Sequence, residues 1–323
     1  MQVSYNEFVS NLSNSLQKNN QLEKIIAKFQ KYYNLIPVIG AEIEFYLSSN
    51  IDISEFETLT SKYLVRAKIL KIKKEKGNNQ FEIDLPPSKD LINYINEISN
   101  VKLALENIAK KLGGNINFYP KPFLNDYGNS MHFHINFISG DNVDKWGSID
   151  YIVQLNSESI RADEFKDESA QAVPKVREHR RVLRNSLVSS DRDDAIAKSL
   201  CHYMLDTFLI FMPNEEDYLR LDKNFMAPTN ISFGGNNRTV AVRIPDSYPK
   251  RLEHRLASPI TDPYIAIFTI LKSILLGFQY PENINNITKI YGNAFDEQYN
   301  LISLPNSPSE SFKLFKPEFY EED

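Results

Sequence analysis

The sequence predicts an α+β fold, an antiparallel sheet with helices packed on one side. Three observations lead there. Strand-like and helix-like segments interleave along the chain. The strand-like ones alternate apolar and polar residues, as half-buried strands do, instead of running apolar throughout. The helical ones carry recognisable start and stop residues. With 323 residues, 42% of them hydrophobic and 24% charged, the chain has the material for a sizeable core in one large domain or two medium ones.

The elements follow in order. Residues 5–32 read as a polar helix that ends before Pro37, and a strand covers about 37–47. A helical pattern returns over 53–72, KKEKGNN makes a charged turn, and QFEIDL is a second strand closed by Pro86-Pro87. Residues 90–114 form a helix started by Asp90 and stopped by Gly113-Gly114. SMHFHINF (130–137) alternates as a strand, and a long irregular polar section covers about 140–192. A helix over 194–213 stops at Pro213. Strands at 238–244 and 251–256 precede a long helix from Asp262, whose apolar run 264–278 is too short to span a bilayer.

Composition removes several function classes. A net charge of −5 argues against a general nucleic-acid binder. Cys201 is the single cysteine, so neither an internal disulfide nor a cysteine metal cluster is expected, and its apolar helix makes it a core residue. No basic start followed by an apolar run opens the chain, so the expectation is a cytoplasmic protein without a signal peptide or membrane partner. The basic stretch VPKVREHRRVLR (173–184) reads as a solvated helix, because Glu178 interrupts it.

The two-residue period of a strand sorts side chains by face. Glu42 and Glu44 share one face against Ala41, Ile43 and Phe45; Gln80, Glu82 and Asp84 oppose Phe81, Ile83 and Leu85. His132, His134 and Asn136 oppose Met131, Phe133, Ile135 and Phe137, while Arg251, Glu253 and Arg255 oppose Leu252, His254 and Leu256. Arg238 and Arg243 lie five apart, on opposite faces unless a bulge intervenes, and Arg238 equally suits the preceding loop. If these strands are neighbours, Glu42, Glu44, Glu82, Glu253 and His132 converge. Crowded carboxylates need cations, and carboxylate oxygens with one imidazole suit Mg²⁺ or Mn²⁺. Arginines beside them suit phosphate oxygens, which together make the parts of a phosphoryl-transfer site.

At this point the motifs resemble a family. GAEIEF (40–45), QFEI (80–83), KP followed by YGNSMHFH (121–134), NRTVAVRIP (237–245), PKRLEHR (249–255) and DPYIAI (262–267) stand in the order found in the catalytic domain of glutamine synthetases. The resemblance covers about residues 37–280, with residues 1–34 as an N-terminal helical extension and 35–323 as the catalytic domain. It implies a curved antiparallel sheet of the glutamine synthetase and guanidino kinase type. It also implies an ATP-dependent ligase that activates a carboxylate as an acyl phosphate, with two Mg²⁺ or Mn²⁺ ions. By resemblance Glu42, His132 and Glu253 hold one metal, and Glu44, Glu82 and Glu75 the other. Arg238 and Arg243 are the catalytic arginines, and Asn136, Arg243, Lys250 and Arg251 meet the nucleotide. Gly128, Arg220 and Arg255 meet the substrate, and His134 supports the metal shell.

Three departures shift the expectation. A helical extension stands where the family places a β-grasp domain, which argues against the usual ring while leaving room for another homo-oligomer. Met226, in RLDKNFMAP, stands where the family has a glutamate that takes a proton from ammonium, and a thioether cannot do so. Ser130, in GNSMH, replaces a glycine and is expected to restrict the nucleotide loop. The sequence therefore points to a carboxylate–amine ligase whose acceptor is not free ammonia. Two other readings stay open, an ATP-binding pseudoenzyme or regulatory protein and a phosphotransferase of the same architecture.

Overall fold

The computed structural model describes residues 4–64, 71–140 and 189–321; the basic stretch 173–184 lies outside them. Two helices, α1 (Tyr5–Lys18) and α2 (Gln21–Tyr33), replace the single one expected over 5–32. Asn20 breaks the run with a left-handed φ of 52° and Asn34 ends α2 at φ 55°, a conformation that asparagine tolerates better than most side chains.

β1 (Leu35–Leu47) is followed by α3 (Ile53–Tyr63), β2 (Lys71–Lys74) and β3 (Gln80–Ser88). The expected helix over 53–72 is therefore shorter, and its last residues with the start of the charged turn form a strand. The edge position of β2 explains the misreading: four residues give too short a pattern to separate from the helix before it. α4 (Leu91–Lys111) starts at Asp90, whose carboxylate accepts from Asn93 N–H at 3.3 Å. β4 (Ile116–Asn117) and β5 (Met131–Ser139) follow. The single helix expected over 194–213 is two, α5 (Ser189–His202) and α6 (Met204–Phe211).

The last strands are short: β6 (Phe233–Gly234), β7 (Val242–Arg243) and β8 (Leu252–His254). The strand expected over 238–244 shrinks because Asn237 Oδ1 accepts from Thr239 N–H at 2.9 Å and from its hydroxyl at 2.7 Å. That closes a turn where the ladder would have begun. The strand expected over 251–256 is likewise trimmed, although Arg255 N–H still reaches Ala241 O at 3.1 Å. α7 (Pro263–Gln279) is capped by Asp262, which accepts from Tyr264 N–H at 2.8 Å, with Pro263 in the first turn where its missing N–H costs nothing. Among the described residues no helix is long and apolar enough to cross a membrane.

The strands form one open eight-stranded sheet in the order β2-β3-β1-β5-β8-β7-β6, with β4 on the end of β1. Among the described strands every pairing is antiparallel, as the sequence led one to expect, except the short β6–β7 pair, which is parallel. Ala41, Ile43, Phe45, Phe133 and Ile135 leave one face and join a single apolar core with Tyr94, Ile98 and Leu105 of α4, Phe29 of α2 and the almost wholly buried α7. Burying that face removes apolar area from water at about 25 cal/mol per Å², and the period of two then forces the other face to be polar.

Candidate active site

Cross-strand register builds the site. Glu42 stands opposite Asp84 on β3 and opposite His132 on β5, and Glu44 stands opposite Glu82. One position along, His134 faces Glu253 on β8, and Glu253 faces Arg243 on β7. Adjacent strands lie about 4.8 Å apart, so these side chains share one polar surface. It lines a cavity of about 310 Å³ that contains Glu42, Glu44, Glu75, Glu82, His132 and Glu253 together with Arg220, Arg238, Arg243, Arg251 and Arg255.

The contacts inside it are short and mostly charged. His132 Nδ1 lies 3.6 Å from Glu42 and 3.4 Å from Glu253. Its Nε2 lies 2.8 Å from the Ser130 hydroxyl. Ser130 donates both its backbone N–H, at 2.7 Å, and its hydroxyl, at 2.6 Å, to Glu44. Arg243 Nη1 donates to Glu253 at 2.6 Å, and Arg255 Nε lies 3.2 Å from the other oxygen. Arg255 also donates to the carbonyls of Arg238 and Val240, and Arg220 donates to the carbonyl of Leu256 at 2.7 Å. Both guanidinium groups are therefore fixed by backbone.

The electrostatics diverge across this small space. Burial acts to raise the Glu42 carboxyl, but hydrogen bonds from His132 and His134 outweigh it and hold it well below the usual range. Burial opposes the charged form of Glu253 too, yet His132, Arg255, His134 and Arg243 hold it at about 2. At Glu82 burial and repulsion from Glu42 and Glu44 act in the same direction and push it well above the usual range. Burial, then repulsion from Glu44, raises Glu75 as well.

Part of the lining is apolar and aromatic. Phe225, Met226, Ala227, Pro228 and Tyr127 belong to it. The Tyr127 and Phe225 rings meet edge to face at 5.3 Å, and Lys121 Nζ sits 3.7 Å from the Phe225 centroid. Met226 holds a left-handed φ of 61° at the end of the turn.

Among the described residues three sets of possible ligand atoms each lie within 4.8 Å of one another: Glu42–His132–Glu253, Glu44–Glu82–His132 and Glu42–Glu82–Asp84. Hard oxygen donors with one imidazole fit a Mg²⁺ or Mn²⁺ ion, and the crowding of buried carboxylates makes a cation favourable there. The sequence pattern of the glutamine synthetase catalytic domain matches residues 57–145 and 185–320, more than half of the chain. The chain belongs to the glutamine synthetase family.

Individual relatives are distant. The γ-glutamylputrescine synthetase PuuA of Escherichia coli K12 is 23% identical over 230 residues, which is 69% of this chain and 40% of that protein. A glutamine synthetase of Sulfolobus acidocaldarius is 27% identical over 205 residues, 62% of this chain and 36% of that one. The chain thus spans less than half the length of these family members. Among solved structures, a GmaS–ADP complex superposes with a TM-score of 0.65 at 19% identity, over 91% of this chain and 66% of that one. Plasmodium falciparum glutamine synthetase gives 0.66 at 13% identity, over 93% and 70%. At these identities the structural likeness speaks for the fold.

Most residues expected from the family motifs meet in the cavity, Gly128 included. Asn136 and Lys250 do not line it: Asn136 Oδ1 accepts from Phe137 N–H at 2.8 Å, and Lys250 donates to Asp246 O at 3.4 Å. Glu75 lines the cavity but joins none of the three ligand sets, where Asp84 stands instead. Ser130 is absent from the left-handed residues, so its position needs no glycine, and it clasps Glu44. His254, on the apolar face as expected, packs on Phe211 with the rings tilted by 42° and their centroids 4.4 Å apart, and burial pushes it down to about 3.

Sequence reasoning passed over Lys73, which pairs with Glu82 at 3.3 Å and with Asp84. The signal was there in KIKK, where Lys73 follows buried Ile72 and so takes the opposite face.

Proposed function

We propose that the chain is an ATP-dependent carboxylate–amine ligase whose acceptor is an amine with an alkyl portion, not free ammonia. The observation that carries this is the meeting, in one cavity, of acidic and imidazole groups and fixed arginines with the apolar and aromatic residues Tyr127, Phe225, Met226, Ala227 and Pro228. Glu42, His132 and Glu253 would hold a divalent cation, and Glu44 and Glu82 belong to a second set. Such ions, when bound, neutralise phosphate charge and orient it.

The chain's own groups account for the rest. Arg238 and Arg243 would meet the charge that spreads over the γ-phosphoryl group as a substrate carboxylate oxygen attacks it and the bond to ADP breaks. Arg251 would meet the nucleotide, and Arg220 and Arg255 would shape the carboxylate end of the cavity. The amine lone pair then attacks the acyl carbon, phosphate leaves, and the amine proton passes to water or a nearby carboxylate. Tyr127 and Phe225 suit the alkyl portion of an amine by apolar contact, the Phe225 face itself being covered by Lys121. Met226 extends the apolar contact and offers nothing to free ammonium.

The test is ADP release with Mn²⁺ across a panel of amino acids crossed with ammonium and alkyl amines, with products identified by mass. Release that needs both partners, and a ligated product, supports the reading. ATP binding without turnover for any pair would make the chain a nucleotide-binding regulatory protein. A stable phosphorylated product without ligation would make it a phosphotransferase. Either outcome overturns the proposal.

A further inference from the structure

We propose that Lys121 is a positioning residue for the acceptor: it ties the 120–128 loop to the Asp222–Ala227 turn and so holds Phe225 and Met226 at the cavity. The acceptor part of this rests on the ligase reading above.

The chain prepares the position locally. Lys121 stands between Pro120 and Pro122. A proline fixes its own φ and keeps the residue before it extended, so few backbone directions are left to Lys121. The residue ends in a buried place, only 4% exposed. Its ammonium donates to Asp126 O at 2.6 Å within its own loop, and lies 3.7 Å from the centroid of Phe225 in the other segment. Burial opposes the charge on Lys121, while Asp222 and Asp126 favour it. The loop itself is anchored. Asn129 N–H donates to Pro120 O at 2.8 Å, and the Tyr46 hydroxyl on β1 donates to Tyr127 O at 2.8 Å.

The turn is shaped from within. Phe225 N–H and Ala227 N–H both donate to Asp222 O, at 3.0 and 3.3 Å, and Asn224 N–H donates to the Asp222 carboxylate at 2.8 Å. These bonds close the turn without tying it to the sheet. The Phe225 ring supplies a tie, with Lys121 over its face and Tyr127 beside it in an edge-to-face contact at 5.3 Å. Phe225 and Met226 line the cavity, whereas Lys121 stands outside the lining and acts through the ring. An ammonium held over an aromatic face away from water binds it more strongly than an exposed one does.

The test uses the whole chain and two readouts. Lys121→Met keeps an unbranched apolar stem and removes the charge. It should speed hydrogen exchange of the 222–227 amides by about tenfold, the scale of a desolvated cation–aromatic contact, with circular dichroism unchanged. It should raise KM for an alkyl amine by about the same factor, with kcat and KM for ATP within about twofold of native. Lys121→Arg, which keeps a cation and a donor, should restore the native pattern. In a Phe225→Leu background, Lys121→Met should add nothing further, since both changes break one contact. Lys111→Met is the control: Lys111 pairs with the Tyr63 ring at 5.0 Å on exposed helix ends and should move neither readout. Unchanged exchange in Lys121→Met would overturn this inference whatever the reaction proves to be. Additive losses with Phe225→Leu, or an equal rise in KM for ATP, would reduce Lys121 to a merely structural residue and overturn it too. Faster exchange in a chain that turns over no amine would overturn the ligase reading and the acceptor role with it.

Discussion

Arg251 donates its Nε–H to Nδ1 of His134 at 3.0 Å, while Nε2 of the same ring lies 2.8 Å from a Glu42 oxygen. A guanidinium is always protonated, so Nδ1 must be the accepting nitrogen and Nε2 the one that faces Glu42 with its proton. Arg251 thus fixes the tautomer, and we propose that His134 positions Glu42. His134→Ala should lower Mn²⁺ affinity by about 10–100-fold while leaving the fold intact. Calorimetry and circular dichroism check both halves. Unchanged affinity would show that Glu42 needs no such support.

Glu82 makes the cation-free protein sensitive to pH. Its carboxyl is raised in the folded chain by burial and by Glu42 and Glu44, while the ordinary value is 4.5. Above that ordinary value the unfolded chain releases a proton that the folded chain keeps, so stability falls as pH rises through the window between the two. Melting in chelator from about pH 5 to pH 9 should show this decline, and Glu82→Gln should flatten it. Each kcal/mol relieved should raise the melting temperature by at most about 2 °C in a chain of 323 residues, since the shift shrinks with size.

Gly128 is constrained by space. A Cβ there would come within 2.7 Å of Arg220 Cβ and 2.9 Å of Pro120 O. Arg220 is held by the carbonyls of Leu256 and Arg255 and has little freedom to give way. Gly128→Ala should cost about 1–3 kcal/mol by overpacking and should reduce ADP release, measured by urea unfolding and a coupled assay. A neutral effect on both would mean that the 120–128 loop yields easily.

Met226 sits in the cavity wall beside Phe225 and Tyr127. Met226→Glu should shift the acceptor preference towards ammonium, raising its kcat/KM relative to an alkyl amine by about tenfold or more, since a positioned proton acceptor contributes on the order of 10²-fold or above. Competition between the two amines, read by product mass, decides it. No change in the ratio would detach Met226 from acceptor choice.

How much of this was legible depends on the element. GAEIEF and MHFHINF alternate cleanly over several residues, so the sequence placed Glu42, Glu44 and His132 on polar faces without any structure. Asp262-Pro263 and the apolar run after it marked α7. The short edge strand at Lys71–Lys74 was hidden behind a helical pattern, and the Asn237–Thr239 turn cut into an expected strand through side-chain bonds that alternation does not report. Two nucleotide residues expected from the motifs, Asn136 and Lys250, lie off the cavity because family spacing fixes chain position and not where a side chain ends.

The sequence by itself determined which residues share a face, since the two-residue period of a strand is set by backbone geometry alone. It also determined the family, through motif order. Only the tertiary structure decided which faces meet. Strand order and register put Glu42 between Asp84 and His132, and Glu253 between His134 and Arg243. They also brought Lys73 onto Glu82 and Asp84. Those pairings join residues far apart in the chain, and they depend on how the apolar face packs against its helices.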